Sequence, residues 1–173
     1  YDRARLEAVH QAISMEAFFQ AYQSKPQLIG DLLFDDPTGA LVDHIAAQYQ
    51  EKLETELRTA AANVTEQTVE GRPIRLLDAE TYAHRYEFPP RRLLAARLHD
   101  QFAESADAVT IVYDTDSLYI HDVTGVDLDE VAAAVDAAVP TAQLQLVDRR
   151  AQQFHFLHGA REDVLDAVIQ ATA

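Results

Sequence analysis

The 173-residue chain has no cysteine and no tryptophan, one methionine and five glycines. Without cysteine there is no disulfide, no thiolate metal site and no cysteine nucleophile, a composition that fits an intracellular protein. Lysine is nearly missing as well: of 14 basic residues only Lys25 and Lys52 are lysine. No apolar run approaches the ~20 residues that a membrane-spanning helix needs. No signal peptide is recognisable at Tyr1, so the expectation is a soluble, cytoplasmic protein with no membrane partner. The sequences HExxH, GxGxxG, GxSxG and a Walker loop are absent, and with them the usual motifs of zinc proteases, dinucleotide enzymes, serine hydrolases and P-loop NTPases. The chain opens at Tyr1, directly in helical sequence. We therefore expect a piece of a longer polypeptide, with missing chemistry encoded upstream.

What is abundant is negative charge. Asp and Glu number 29, the formal net charge is -15 and the isoelectric point is about 4.6. The acidity is spread along the whole chain rather than gathered in one tail. An acidic, Lys-poor, Ala-rich surface resembles those of proteins from salt-in halophiles, where salt screens the repulsion between carboxylates. An ordinary acidic mesophilic protein is the alternative. The hydrophobic content of 48% suffices for a sizeable core.

Periodicity divides the chain near residue 62. Leu6, Val9, Ile13 and Ala17 share one apolar helix face within 2–22. Ser24-Lys25-Pro26 starts a short helix to Leu33, and FDDPTG then breaks the chain. Leu41, Ile45, Tyr49, Leu53, Leu57 and Ala60 line a long helix over 40–62. The period then changes to two: 64–77 reads as a hairpin around EGRP. Asp78 can cap a short helix to Tyr86, and Pro89-Pro90 opens another to about Glu104. AVTIVYD and SLYIHD form a second hairpin. Asp127 and Glu130 have capping-box spacing on a helix that Pro140 ends. Strands over 142–147 and 152–157 and a helix with Val164, Leu165, Val168 and Ile169 complete the chain. The expectation is an α+β fold. A helical connector over 1–62 precedes an α+β domain over 63–173, with a mixed sheet of about six strands packed with helices.

Candidate chemistry is sparse. Asp114 and Asp116 could chelate one hard cation, but at a strand-turn-strand junction aspartates favour Asx-turn hydrogen bonds, and we prefer that reading. The pairs Asp43-His44 and His99-Asp100 lie on helices, where adjacent side chains diverge by about 100°. His155 and His158 are expected on opposite faces of one strand. No complete active site is found, and no metal or catalytic residue is assigned. What remains are arginines: Arg91, Arg92 and Arg97 after the double proline, and Arg149, Arg150 and Arg161 around the last hairpin. They could bind phosphates or be paired with the many carboxylates. Four phosphate contacts at a single-strand slope of about −0.7 each would lose roughly three to four decades of affinity between about 0.1 and 2 M salt. A binder in high salt would need stacking as well. Tyr113, Tyr119, Phe154 and Phe156 are the strand aromatics that could supply it, if they are not core.

Three segments carry a family resemblance: IRLLDAETYAHRYEFPPRRLLAARLHDQF, ADAVTIVYDTDSLYIHDVTGVDLDEVAAAV and PTAQLQLVDRRAQQFHFLHGAREDVLDAVI. Together they resemble the C-terminal half of archaeal RecJ-like proteins of the DHH phosphoesterase family. Asp116-Ser117-Leu118 matches a D-S-L element, and FLHGARED at 156–163 matches the phrase that closes the domain. AISMEAFF resembles the family's connecting helices. The resemblance implies a nucleic-acid-binding or positioning region of a single-strand exonuclease. Arg149, Arg150, Arg161, Phe154, Phe156, Arg91 and Arg92 are then the candidate contacts, and single-stranded DNA or RNA the partner. It also implies that Mn or Mg binds in a DHH domain outside these residues. The family's Gly-Gly-Gly-His loop is here VDRRAQ, which lacks the glycines that permit close phosphate approach. A non-catalytic scaffold for GINS-like replication proteins is therefore the alternative that the same resemblance leaves open.

The charge distribution predicts that stability rises with salt. The thermal midpoint should increase between dilute buffer and molar KCl as carboxylate repulsion is screened. A midpoint indifferent to KCl would remove the halophile reading.

Overall fold

The computed structural model describes residues 3–19, 30, 40–81, 88–102, 108–121, 125–148 and 150–172. The short helix expected from Ser24 to Leu33 lies, apart from Gly30, outside them. The chain forms two compact units, the first of Tyr1–Glu56 with Arg85–Phe88 and the second of Leu57–His84 with Pro89–Ala173.

The first unit contains helix α1 (Arg3–Phe19) and most of helix α2 (Ala40–Ala62). Helix α2 buries Val42, Ile45, Ala46, Tyr49 and Leu53, close to the expected stripe. Helix α1 departs from expectation. It buries Val9, Ala12, Met15 and Glu16, whereas Leu6 and Ile13 are exposed. The cause lies at its C-terminal end, where Phe18 and Phe19 both meet the ring of Phe88 edge-on at 5.3 and 5.1 Å, beside Tyr49 at 5.4 Å. Such ring pairs each add about 0.5–1.5 kcal/mol to simple burial. They turn the 12–15–16–19 side of α1 inward in place of the aliphatic stripe.

The second unit is a six-stranded mixed sheet with helices on both faces. Its strands are β1 (Thr65–Val69), β2 (Arg72–Asp78), β3 (Val109–Tyr113), β4 (Ser117–His121), β5 (Gln143–Asp148) and β6 (Ala151–His155). Their spatial order is β1-β2-β3-β4-β6-β5, and every neighbouring pair is antiparallel except β2 with β3. The hairpin expected over 64–77 is β1–β2, turning at Glu70 and Gly71, which both have positive φ. Two such residues in a row are what a type I′ two-residue hairpin turn demands.

Alternation along the strands separates two cores. Ile74, Val109, Ile111, Leu118, Ile120 and Phe154 face helices α4 (Leu128–Ala138) and α5 (Arg161–Ala171), which add Val131, Val135, Val164 and Val168. Leu77, Val112, Tyr119 and Ala151 face the other way. There they meet Leu94, Ala95 and Leu98 of helix α3 (Arg91–Gln101) and Ala60 at the end of α2. β3 is buried on both sides from Val109 to Val112, which explains its unbroken apolar run.

Local signals behave as their chemistry dictates. Asp127 caps α4, its Oδ1 accepting from the N–H groups of Asp129 and Glu130 at 3.0 and 3.3 Å. Pro90 precedes α3, which ends at Gln101; residues 103–104 of the expected helix lie outside the described ones. Asp78 closes β2, and its Oδ1 accepts from the Glu80 N–H at 3.0 Å in a turn through Thr81. Residues 82–86 of the short helix expected there lie outside the description. The last strand stops at His155, and His158 belongs to a 3-10 turn over His158–Ala160. That placement replaces the expectation of one strand carrying both histidines.

Phe154 is 1% exposed. Phe154→Ala should therefore cost about 3–5 kcal/mol in denaturant unfolding. A loss below about 1 kcal/mol would mean that the ring is not a core group.

Candidate nucleic-acid interface

The parallel pairing of β2 and β3 brings two strand ends together, with Asp78 opposite Tyr113. The turn after β3 and the start of β4 lie at the same end, since Tyr113 pairs with Leu118 and Ser117 with His155. Both flanking helices begin here. α3 starts at Arg91 and α5 at Arg161, and neither has a side-chain cap.

Each helix places its first-turn arginine against a carboxylate. Arg91 Nε donates to Asp114 Oδ2 at 3.1 Å. Asp114 Oδ1 accepts from the Ser117 N–H and the Ser117 hydroxyl, both at 2.9 Å, and from the Asp116 N–H at 3.3 Å. Burial opposes ionisation of Asp114. The bonds from Arg91, Ser117 and Asp116 more than offset it and hold the carboxyl below the usual carboxylate range. The Asx-turn reading of YDTDSLY is thus the observed one. On the other face Arg161 Nη1 donates to Glu80 Oε2 at 3.2 Å, lies 3.6 Å from Asp78 Oδ2 and stacks over the Tyr113 ring at 5.6 Å. Burial raises the Tyr113 pKa, and the Asp78 carboxylate raises it further against the opposing pull of Arg161.

The remaining candidates are elsewhere. Arg149 lies outside the described residues, and Arg150 is exposed in the turn before Ala151. Ala151 pairs with His121, so this turn is at the opposite end of the sheet. The four residue steps of β6 separate the ends by roughly 13 Å. The candidate arginines accordingly fall into two groups that no single small anion bridges. Arg92 and Arg97 are exposed on α3. Phe154 and Phe156 are 1% and 6% exposed and belong to the core. Tyr119 is likewise buried. None of these three rings offers a face to a base in this arrangement.

Sequence reasoning missed two contacts. His99 on α3 and His121 on β4 meet with ring centroids 5.1 Å apart, and His99 Nδ1 lies 3.3 Å from Thr110 Oγ1. Strand parity was the available signal, because it puts His121 on the same side as Tyr119, facing α3. Arg75 is 2% exposed. Its Nε donates to Glu66 and its Nη2 to the Phe102 carbonyl, both at 3.0 Å. An arginine inside an alternating strand gave no hint of burial. Among the described residues no three His, Asp or Glu side chains converge on a point where a metal ion could be held.

No family profile matches the sequence. An uncharacterized protein of Methanocaldococcus jannaschii is 23% identical over 187 aligned positions, which cover 98% of this chain and 25% of that protein. The fold has clear counterparts. The DHH domain of a protein assigned to a family of ribosomal proteins superposes with a TM-score of 0.77 at 23% identity, over 98% of this chain and 42% of its own. Exonuclease RecJ bound to manganese gives 0.54 at 12% identity, over 92% of this chain and 38% of its own. RecJ of Thermus thermophilus in complex with Mg2+ gives 0.51 at 12%, over 96% and 27%. The chain shares the fold of a part of these proteins. It spans a quarter of the archaeal relative and less than half of each solved chain.

Asp114 organises the turn as an anion, which sets a pH dependence. Because its folded pKa is depressed, its contribution is complete above the ordinary carboxylate value and is lost as pH falls through the folded one. Asp114→Ala should cost roughly 1–3 kcal/mol near neutral pH, the scale for hydrogen bonds to a charged group. The gap to the parent protein should close below about pH 4. A gap constant from about pH 6 to about pH 2, a span that brackets the ordinary carboxylate range, would show that the ionised carboxylate is not what holds the turn.

Proposed function

We propose that this chain is the C-terminal region of a RecJ-like protein of the DHH family and positions single-stranded nucleic acid for a metal-dependent phosphodiesterase. In this reading residues 1–62 are the helical connector and 63–173 the domain that follows it. The catalytic Mn or Mg is held by a DHH domain elsewhere in a longer protein. The observation that carries the proposal is the fold likeness itself. Nearly the whole chain is matched by less than half of each RecJ or DHH-domain structure. Those relatives have ample chain left for a separate metal centre. Among the described residues no three His, Asp or Glu side chains converge, which supports a metal centre in the DHH domain. The acidic composition further supports a haloarchaeal, cytoplasmic setting.

The binding residues in this reading are Arg150 at one end of the sheet, with Arg149 before it in sequence, and Arg91, Arg92 and Arg161 at the other. The first pair occupies the place of the glycine-rich loop and supplies charge where backbone amides would otherwise face the phosphates. Phe154 and Phe156 support the domain from within its core.

A second reading, a replication-associated scaffold with a GINS-like partner, is favoured by one specific observation. Arg91 and Arg161 are already engaged by Asp114, Asp78 and Glu80. A phosphate that recruits them must displace a carboxylate from a partly buried pair.

Titration of labelled single-stranded oligonucleotides at several KCl concentrations separates the two readings. In the nucleic-acid reading the Arg149→Ala/Arg150→Ala double variant binds more weakly and its salt slope flattens by about 0.7 per lost phosphate contact. Identical slopes for parent and variant would sink the binding role of this turn and favour the scaffold.

A further inference from the structure

The sheet ends in two edge strands of opposite character. β1 carries Glu66, with Glu70 next to it, and is exposed along most of its length. Charge of this kind is how edge strands avoid pairing with another chain. β5 is different. From Gln143 to Val147 it reads QLQLV, with no charge and no proline. Gln143, Leu144 and Gln145 are exposed, and Leu144 retains 46% of its accessible surface. One side of β5 is hydrogen-bonded to β6, and no described strand pairs with the other. Each described α-helix carries at least one carboxylate. The β5 edge is therefore an unusual stretch of uncharged surface on a chain of net charge -15.

The stretch is also self-complementary. A two-fold axis perpendicular to a sheet pairs antiparallel strands so that directly opposed residues share a face, and here it passes through one residue. Centred on Gln145, it sets Gln145 against itself and position 144 against 146, before the register of β5 shifts between Leu146 and Asp148. Leucine positions then oppose leucine positions. The pairing is thus confined to the uncharged run, and it sets no charge against a like charge. We propose that β5 is a homodimerisation edge, through which two copies pair about Gln145 into one continuous twelve-stranded sheet. The occupant is a second copy because the recognition is isologous. Charge compatibility points the same way: two molecules of this net charge meet with least repulsion along an uncharged line. Association should tighten with KCl, since salt screens the repulsion between the bodies and leaves an uncharged strand pair intact.

The test is sedimentation equilibrium of the chain from micromolar to about 1 mM, the range suited to a small interface, at low and at molar KCl. The expected result is a monomer–dimer equilibrium that shifts toward dimer with salt. At moderate salt Gln145→Glu and Gln145→Lys should each weaken the dimer several-fold, because each sets a charge against itself. An equimolar mixture of the two should recover a heterodimer. Unchanged thermal midpoints would show that both variants are folded. A parent chain that stays monomeric throughout would overturn the proposal. So would a dimer that is indifferent to both charges and gains nothing on mixing, since it would use another surface.

Discussion

The parallel pairing of β2 with β3 is the constraint on which the second unit depends. Strands joined by a tight hairpin run antiparallel, so a parallel pair obliges the intervening chain to travel back along the sheet. That return is made with α3, whose Leu94, Ala95 and Leu98 cover one face. β3 thereby becomes an interior strand that must be apolar on both sides, and VTIV meets the requirement. The other face needs a separate cover, which α4 and α5 provide. The same geometry gathers chemistry at one end. The C-terminal ends of β2 and β3, the Asp114 turn and the first turns of α3 and α5 all arrive there. Arg91 and Arg161 are brought beside carboxylates by topology, not by nearness in sequence.

Much of this was legible from the residues. The six strands, the three hairpins, the proline-initiated helix and the aspartate cap each rest on local chemistry, and local chemistry survives folding. The α+β class followed from the change of period after Asn63. What failed was orientation around a helix axis. In α1 the aliphatic positions 6, 9, 13 and 17 gave a clean stripe, yet the buried side is set by where Phe18 and Phe19 find Phe88, far along the chain. Periodicity says that a helix has a face; the partner decides which face. The two arginine groups failed to appear as separate for the same reason. Arg149, Arg150 and Arg161 are near one another in sequence. β6 carries the chain from one end of the sheet to the other between them.

Aromatic residues show the limit of reading binding from composition. Phe154 and Phe156 fitted a stacking role by type and place, but alternation put Phe154 on the core face beside Leu118. The face of a strand residue depends on one step of register. Tyr113 is the strand aromatic that lies half in the open, and the Arg161 guanidinium already covers its ring.

Electrostatics then frames what the surface can recognise. With 29 carboxylates and 14 basic side chains, an arginine near the surface finds an internal partner unless geometry withholds one. Both helix-start arginines have found theirs. An anionic ligand there competes with Asp114, or with Asp78 and Glu80, and exchange of one carboxylate for one phosphate returns little net energy, since the displaced acid, partly buried at Asp114 and Asp78, is left without its cation. At the opposite end Arg150 is exposed in the turn before Ala151. In the proposed nucleic-acid role a ligand would gain most by engaging both ends at once. Length of the ligand, more than the strength of any one arginine contact, is then the property through which so acidic a domain would favour a polyanion over free phosphate.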